Sequence, residues 1–508
     1  MNKLILLTVL FTVSLFSFEF EETTIKNPKV VENYYMEDLN GDGYLDLFVL
    51  NLKGDARDST SFTVYINNKG KFDTKPSSLL MLSRNQVLFD FGNILSGKEL
   101  ELITLSGDSM RVYSLKNEQY YHSVSYSLKN NLLGIPAFRN ALRFKFVQKI
   151  RTGDSTNFLI PGMNKFTLYT FGKKGIKKLK TLNSGGTASY YQRWNAMEKH
   201  IGEYLNVSIS PPFYQINDVN GDGKLDIVFY SGAKLSVFLQ GSRGFTSNPT
   251  YWSYLNLKDS EGKPVILNKT DREKREWYTL LSITDSNNDG ALDVFIKKQD
   301  SRQSIFDPSS QMHIYYGKLE GQTLSFPQKP DKIIVSEGFQ FNIDFADIDG
   351  NGYEDIAIPA MKMGLFKLIA MLVTRSATIS VNFYKNDGTF PDLPTVIRDI
   401  SMSFDFSGDF KTPVFDYEGD FNGDGVKDLL TSPEEGWVGV HYGGGDEFFP
   451  EEPDEEFEML LPRNGNRIQI EDFNNDGLSD IIYRFDLQDN RDDDQRDLIK
   501  VFIQKVEK

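Results

Sequence analysis

Short apolar runs recur along this chain, and six of them directly follow polar, glycine-rich loops of one common pattern. The runs are rich in β-branched and aromatic residues and partly alternate with polar residues, which is typical of β-strands. They read LDLFVLNL, LDIVFYSG, LDVFIKK, EDIAIPA, KDLLTS and SDIIYRF. The pattern predicts an all-β chain in which each of the six loops connects two strands.

Each loop has oxygen-bearing side chains at positions 1, 3, 5 and 9 and glycine at position 6. A hard cation such as Ca²⁺ binds about six to eight oxygens, and the backbone carbonyl at position 7 can supply one. Position 4 is Gly or Asn, which tolerate a positive φ, and glycine at position 6 permits a sharp turn. Plain turns without metal are the alternative, although turn chemistry alone does not require oxygen at all four positions. We therefore predict about six calcium sites.

The predicted ligands stand at positions 1, 3, 5, 7 and 9 of each loop, with position 7 contributing its carbonyl. They are Asp38, Asn40, Asp42, Tyr44 and Asp46; Asp218, Asn220, Asp222, Lys224 and Asp226; Asp285, Asn287, Asp289, Ala291 and Asp293; Asp347, Asp349, Asn351, Tyr353 and Asp355; Asp420, Asn422, Asp424, Val426 and Asp428; and Asp472, Asn474, Asp476, Leu478 and Asp480.

These loops are not EF-hands, which need a bidentate Glu at position 12 and flanking helices. Position 12 is instead Val49, Phe229, Ile296, Ile358, Thr431 or Tyr483. The chain resembles the FG-GAP/VCBS repeats of integrin-alpha-like β-propellers, on the strength of the six loops. The resemblance covers nearly the whole chain after its first residues. It implies calcium loops within propeller blades and says little about the ligand.

The spacing of the loops predicts two further repeats that have lost the acidic pattern. Asp38 and Asp218 begin loops that lie 180 residues apart, whereas the later loops follow one another at intervals of 52 to 73 residues. Two segments inside the long interval, Leu88–Leu115 and Phe144–Phe171, keep the order strand, loop, strand, turn, strand. They retain only Asp90 and Asp154 of the acidic positions, so we expect neither to bind calcium.

Eight repeats predict one β-propeller of eight four-stranded blades, with seven blades as the alternative that the integrin-like family implies. The strands of the first blade are predicted at Val31–Glu37, Leu45–Asn51, Ser61–Asn67 and Ser78–Leu82. The last repeat lacks a fourth strand, and Phe18–Ile25 alternates without a blade of its own. This N-terminal segment is predicted to close the ring as the missing outer strand, since closure hides strand edges.

Several insertions interrupt the repeats. Short helices are predicted around Tyr190–Tyr204 and at Met363–Arg375, where apolar residues have helical spacing. Asp300–Pro308 extends a loop. Two acidic runs, Asp446–Glu458 and Asp486–Asp497, are predicted to be exposed hairpin loops.

The sequence of the first residues predicts that the protein is exported. Lys3 precedes an apolar run from Leu4 to Phe16, which is too short to span a bilayer and is typical of a signal peptide. An N-terminal strand or helix of the fold is the alternative. The predicted organisation is therefore a signal peptide at residues 1–17 and a propeller domain at residues 18–508. The chain has no cysteine, and we expect an exported protein that is secreted, periplasmic or at the cell surface, with no transmembrane segment.

The charge and composition of the chain limit the classes of partner and the kinds of activity that we expect. A net charge of −15 disfavours nucleic acid and anionic membranes as partners. The four histidines are widely spaced, and no catalytic motif is visible. We expect a monomeric, non-catalytic interaction or adhesion module for a protein or a glycan. The alternative is a secreted carbohydrate-active enzyme of the polysaccharide lyase type, which would need a central cleft lined by Lys, Arg, Tyr and carboxylates.

Overall fold

The computed structural model describes residues 19–505, apart from residues 54–58, 96, 134–139, 151–155, 173–174, 196–199, 232–233, 264, 266, 268–275, 301–307, 363, 365–370, 372, 375, 404–413, 433–435, 445–447 and 490–494. The predicted signal peptide at residues 1–17 therefore lies outside the described residues. The same holds for most of the predicted helix at Met363–Arg375 and of the loop at Asp300–Pro308.

Eight sheets of four antiparallel strands follow one another along the chain, and we number them as blades 1 to 8. Their strands, in the order of pairing, are Val31–Glu37, Asp46–Asn51, Ser61–Tyr65 and Ser78–Met81; Leu88–Gly92, Glu101–Leu105, Ser109–Lys116 and Gln119–Ser127; Val147–Gln148, Asn157–Pro161, Phe166–Gly172 and Gly175–Leu182; Phe213–Asn217, Asp226–Ser231, Lys234–Phe238 and Tyr251–Tyr254; Glu276–Thr284, Asp293–Asp300, Ser309–Tyr315 and Lys332–Glu337; Phe339–Gln340 with Asp344–Ala346, Asp355–Met361, Ser376–Tyr384 and Val396–Ser403; Val414–Asp416, Leu429–Ser432, Trp437–His441 and Glu455–Glu458; and Ile468–Glu471, Asp480–Arg484, Leu498–Gln504 and Phe20–Lys26.

The structure also contains smaller secondary-structure elements besides the main strands of the blades. They are the hairpins Asn67–Asn68 with Lys71–Phe72, Thr187–Asn195 with His200–Ser210 and Lys318–Glu320 with Thr323–Ser325, the short strand Leu142–Arg143, and the 3₁₀ turns Gly465–Arg467 and Leu487–Asp489.

The second strand of a blade is buried on both faces, which explains its nearly continuous apolar sequence. In blade 1, Leu47 packs into a cluster shared with blade 8, whereas the next residue, Phe48, packs into a cluster shared with blade 2. In blade 4, Ile227 packs into the cluster shared with blade 3, and Val228 packs into the cluster shared with blade 5. Successive side chains of a strand point to opposite faces, so each second strand contributes to two interfaces.

Eight apolar clusters lie between successive blades, and the eighth joins blade 8 back to blade 1. In that last cluster, Val49 of blade 1 packs with Ile482 and Val501 of blade 8. The clusters therefore form a closed cycle, which confirms the predicted eight-bladed propeller and rules out seven blades. Both segments predicted as eroded repeats, Leu88–Leu115 and Phe144–Phe171, form sheets of their own.

The N-terminal strand closes the ring, as predicted. Phe20–Lys26 pairs antiparallel with Leu498–Gln504, from Phe20 opposite Gln504 to Lys26 opposite Leu498. Ile25 on this strand is fully buried in the cluster between blades 8 and 1. Blade 8 is thus assembled from both ends of the described chain.

We expect Ile25→Ala to destabilise the protein by about 2–5 kcal/mol, because it removes buried methyl groups and leaves a cavity in the closing blade. Glu21 lies on the same strand and is exposed, so Glu21→Ala is a matched control with an expected effect below about 0.5 kcal/mol. Urea denaturation of both variants measures the difference. Equal effects of the two substitutions would mean that this strand does not support the ring.

Two sequence predictions are wrong. Tyr190–Tyr204 falls within an antiparallel hairpin, with Thr187 opposite Ser210, instead of a helix. The segment contains four aromatic residues, Tyr190, Tyr191, Trp194 and Tyr204, and aromatic residues favour strands. The acidic run Asp446–Glu458 is not simply an exposed loop, because Phe448 and Phe449 are buried and Glu455–Glu458 is the fourth strand of blade 7. Acidic side chains suit an outer strand, where they discourage edge-to-edge pairing.

Candidate metal centres

The six acidic loops share one place in the fold. Each connects the first and second strands of its blade, in blades 1, 4, 5, 6, 7 and 8. Successive blades repeat the same strand order, so their first strands point the same way relative to the propeller axis. The six loops therefore lie on one face of the propeller. We call this surface the loop face.

The carboxylate at position 1 organises each loop. In all six loops one of its oxygens accepts a hydrogen bond from the backbone N–H of the glycine at position 6, at 2.7–3.0 Å. In the first loop, the other oxygen of Asp38 accepts from the N–H of Asp42 at 3.0 Å, and Asp42 accepts from the N–H of Tyr44 at 3.0 Å. These bonds bend the backbone around the oxygen-bearing side chains.

Positions 4 and 6 adopt positive φ in every loop, as the Gly and Asn residues predicted. Gly43 has φ of 94°, and Asn288 at position 4 of the third loop has φ of 55°. Gly41 also lies against the neighbouring blade, because a Cβ at this position would be 2.6 Å from the carbonyl oxygen of Lys98. Glycine at this position therefore permits both the turn and the close approach of blade 2.

The aspartate at position 9 binds the loop to the rest of its blade. In all six loops one oxygen accepts from the N–H of position 2 at 2.6–3.1 Å. The other oxygen accepts from a backbone N–H just beyond or at the end of the third strand, at 2.7–2.9 Å. In blade 1 these partners of Asp46 are Leu39 and Asn67. The third strand of blade 1 ends at Tyr65, two residues before the predicted Asn67, and Asn67 belongs to the small hairpin Asn67–Asn68 with Lys71–Phe72.

All six position 9 carboxylates are fully buried, and this burial raises their pKa. The pKa rises to about 7 for Asp46, Asp355 and Asp480, with burial as the largest cause. Their backbone hydrogen bonds lower the pKa, and neighbouring loop carboxylates raise it further, such as Asp42 beside Asp46. A bound cation would favour the charged form of these groups.

Side-chain amides connect the loops of adjacent blades, a feature that the sequence analysis missed. The amide of Asn67 donates to the carbonyl of Leu45 in its own loop at 3.0 Å and to that of Phe473 in blade 8 at 2.8 Å. The amide of Gln240 does the same with Leu225 and with Ile150 of blade 3, at 2.8 and 3.0 Å. Asn386 and Gln504 reach equivalent carbonyls in the preceding blades, whereas Gly317 and Gly443 occupy the corresponding positions in blades 5 and 7.

The residues present fit a hard cation. In the fourth loop, single carboxylate oxygens of Asp347, Asp349 and Asp355 all lie within 4.8 Å of one another. Two buried oxygens at ligand positions have no hydrogen-bond partner, namely Oδ1 of Asp347 and Oδ1 of Asn474. Buried oxygens without a partner are costly, and an all-oxygen donor set is what Ca²⁺ prefers.

Lysine ammonium groups form ion pairs with carboxylates at ligand positions of two of the loops. Nζ of Lys385 is 2.8 Å from Oδ2 of Asp349 and 3.7 Å from Oδ1 of Asp387. Nζ of Lys224, at position 7 of the second loop, is 2.6 Å from Oδ2 of Asp222. A metal ion at either loop would have to compete with a positive charge that the chain itself supplies.

The eroded repeat of blade 2 keeps a carboxylate contact at position 9 but lacks oxygen-bearing side chains at positions 3 and 5. Glu101 begins the second strand of blade 2, and its carboxylate accepts from the N–H of Ile94, seven residues earlier, at 2.8 Å. Leu95 and Gly97 stand where positions 3 and 5 would be. Asp90 is buried and accepts from the N–H of Val147 at 2.8 Å. Asp154 lies outside the described residues, so the absence of calcium from blades 2 and 3 stays a prediction.

Comparison with known proteins places this chain near part of the integrin alpha subunits. It is 24% identical to mouse (Mus musculus) integrin alpha-IIb over 221 residues, which is 42% of this chain and 20% of that protein. It is 27% identical to integrin alpha-4 of Xenopus laevis over 196 residues, or 38% of this chain and 17% of that protein. The chain therefore spans about a fifth of the length of these relatives. No family model matches it.

Solved structures with a similar arrangement are only distant. The propeller of Dos1 is 8% identical, with a TM-score of 0.36, and the match covers 87% of this chain and 88% of that one. The WD40 domain of Toxoplasma gondii coronin is 10% identical, with a TM-score of 0.32, covering 81% of this chain and 86% of that one. The strand pairing and the cyclic order of the core clusters carry the propeller assignment here.

Proposed function

We propose that this protein is a non-catalytic, calcium-stabilised β-propeller that serves as an interaction or adhesion module for a protein or a glycan. The observation that carries the proposal is the recurrence of one oxygen constellation at the same turn of six blades. Similarity to part of integrin alpha subunits supports an interaction role. The apolar N-terminal run supports export to the periplasm, the cell surface or the medium, and no helix among the described residues is long and apolar enough to cross a membrane.

Calcium would be held by the side chains at positions 1, 3, 5 and 9 and by the carbonyl at position 7. The ion would supply positive charge to a loop face that carries three carboxylates in each of the six loops. Blades 1 and 8 meet at two of these loops, where the N–H of Leu45 donates to the carbonyl of Phe473 at 3.1 Å. Calcium bound in each loop would therefore stiffen the contacts between blades.

Calcium binding is expected to approach six ions per chain. Mass spectrometry under native conditions, with calorimetry of the calcium-depleted protein, measures this number directly. Replacing Asp222 by Ala should reduce the plateau by one ion, because it removes a ligand from the second loop only. A plateau at two ions or fewer would contradict the proposal and would mean that most of the loops are plain turns.

We expect Lys385→Gln to tighten calcium binding at the Asp347 loop by several-fold, because the ammonium group no longer competes for Asp349. Lys362 follows the far end of the second strand of blade 6, where its Nζ is 3.0 Å from a carboxylate oxygen of exposed Glu337, and Lys362→Gln provides the control. Calcium titration of both variants, in a background where the other loops are saturated, measures the change. Equal affinities in the two variants would show that Lys385 does not oppose the ion.

The charges of the cavity described below do not favour the alternative of a polysaccharide lyase. That cavity contains lysine, tyrosine and carboxylates, but its carboxylates outnumber its cationic side chains three to one. An anionic polysaccharide would be repelled there.

A further inference from the structure

A cavity of about 630 Å³ opens among the first strands of blades 6, 7 and 8. The fourth strands lie on the outside of the ring, where apolar side chains such as Met81 and Tyr254 are exposed. The first strands therefore face the axis of the propeller, and the cavity lies along its central channel. Its volume is in the range of about 300–1,000 Å³ that is typical of small-ligand sites.

Negative charge dominates this cavity. Asp344 of blade 6 and Asp416 and Glu418 of blade 7 line it, and the only cationic side chain among its lining residues is Lys297 of blade 5. Burial raises the pKa of Asp416 to about 6, and the charges of Glu418 and Asp344 act in the same direction. The three carboxylates therefore lie close enough to influence one another.

A buried tyrosine hydroxyl lies beside the carboxylates of the same cavity. Tyr417 is only 4% exposed, and the carboxylate of Asp344 lies beside its hydroxyl group, although the hydroxyl oxygen makes no hydrogen bond of regular geometry. A buried polar group without a hydrogen bond of regular geometry is energetically unfavourable. Because Tyr417 lines the cavity beside the carboxylates, a ligand with N–H groups could satisfy it.

The shape of the site favours an organic cation over a metal ion. Among the described residues, the Asp347 loop is the one place where three acidic side chains bring oxygens within 4.8 Å of one another. The three cavity carboxylates do not form such a group, and a cavity of about 630 Å³ has room for an organic group beside the negative charge. Aromatic rings also line the cavity, including Phe339 and Phe341, whose ring centroids are 6.0 Å apart in an edge-to-face arrangement. Such rings suit an apolar arm and attract a cation to their faces.

We propose that this cavity binds an organic cation, namely a guanidinium or alkylammonium group carried on an apolar arm. The proposal rests on the proposed role of the propeller as an interaction module and specifies the chemistry of what it recognises. Asp344 and Asp416 would pair with the cationic group, Tyr417 would accept one of its N–H donors, and Phe339 and Phe341 would cover the arm. The group can come from an arginine or lysine side chain of a protein partner or from a free amine.

The test is calorimetric titration of the calcium-loaded full chain with small cations. Nα-acetyl-arginine methylamide and Nα-acetyl-lysine methylamide represent side chains of a protein, and propylguanidine and butylamine represent free cations. Nα-acetyl-citrulline methylamide has nearly the shape of the arginine compound without its charge. We expect at least one of the cations to bind and the citrulline compound not to bind. Tighter binding of the two blocked residues than of the simple cations would identify a protein side chain as the source.

Substitutions in the cavity are expected to weaken or strengthen cation binding, depending on the charge that they remove. Asp344→Asn and Asp416→Asn should each weaken binding by tenfold or more, whereas Lys297→Gln should strengthen it several-fold, because it removes the competing charge. Glu456→Gln, on the exposed side of the fourth strand of blade 7, is the control and should change nothing. Asp344 is exposed, so its replacement keeps the test valid if the Asp416 variant does not fold.

Three results would overturn the proposal: no binding of any cation, equal binding of the citrulline compound, or unchanged binding in both aspartate variants. None of the cavity residues belongs to a calcium loop. A failure here with six calcium ions bound would therefore overturn the cation site and leave the calcium-stabilised propeller standing. A failure of calcium binding would be detected separately by the ion count.

Discussion

Removing calcium is expected to lower the melting temperature of this protein by roughly 8–16 °C relative to 10 mM free calcium. Extracellular calcium modules often have dissociation constants of about 10⁻⁴–10⁻³ M. An ion that binds only the folded state then contributes about 1.4–2.7 kcal/mol per site at this concentration. Six sites sum to about 8–16 kcal/mol, and an unfolding entropy near 1 kcal/mol per kelvin for a domain of this size converts the sum to degrees.

Differential scanning calorimetry in calcium, in EDTA and in magnesium measures this effect. Magnesium is the control, because it demands near-octahedral geometry and sheds its waters reluctantly, so it should restore only a small part of the shift. The stabilisation is comparable to the whole stability of about 5–15 kcal/mol of a typical domain. An unchanged melting curve in protein that is shown to be free of calcium would contradict a structural role for the loops.

The second large effect is expected at position 9, with or without calcium. Asp480 is fully buried, and its two oxygens accept from the backbone N–H groups of Phe473 and Gln504 at 2.9 and 2.8 Å. Asp480→Ala would leave both N–H groups without a partner, at a cost of about 1–3 kcal/mol each. We therefore expect a loss of about 2–6 kcal/mol in EDTA, measured by urea denaturation. Gln504 lies on the strand that pairs with Phe20–Lys26, so the substitution destabilises the blade that closes the ring.

Asp476, at position 5 of the same loop, provides the matched control. It is exposed, and its carboxylate accepts one hydrogen bond, from the N–H of Leu478 at 3.0 Å. Asp476→Ala should cost less than about 0.5 kcal/mol in EDTA and should remove one site's contribution when calcium is present. If the two variants were equally stable in EDTA, position 9 would act only as an ion ligand and not as a structural contact.

The loops and the strands that follow them could be predicted because the conformation of each depends on a short run of consecutive residues. Nine consecutive residues set the turn, and the positive φ at Gly43 and Asn288 follows from residue type. In place of the helix predicted around Tyr190–Tyr204, the structure has the strand Thr187–Asn195 in a hairpin, because pairing with a second strand overrides the local preference of so short a segment. Its strand partner, His200–Ser210, decides the outcome. The acidic composition of Asp446–Glu458 predicts an exposed loop, but the run also contains Phe448 and Phe449, which are buried.

By itself, the sequence determined the all-β class, the eight repeats and the closing strand, because strand alternation and loop chemistry recur at short range. Only the tertiary structure showed that Asp46 joins its loop to Asn67, and that the amide of Asn67 reaches Phe473 at the other end of the chain. It alone assembled the cavity from Asp344, Asp416 and their neighbours. These contacts arise when the ring closes, because closure brings together residues whose separation along the chain leaves no periodic pattern.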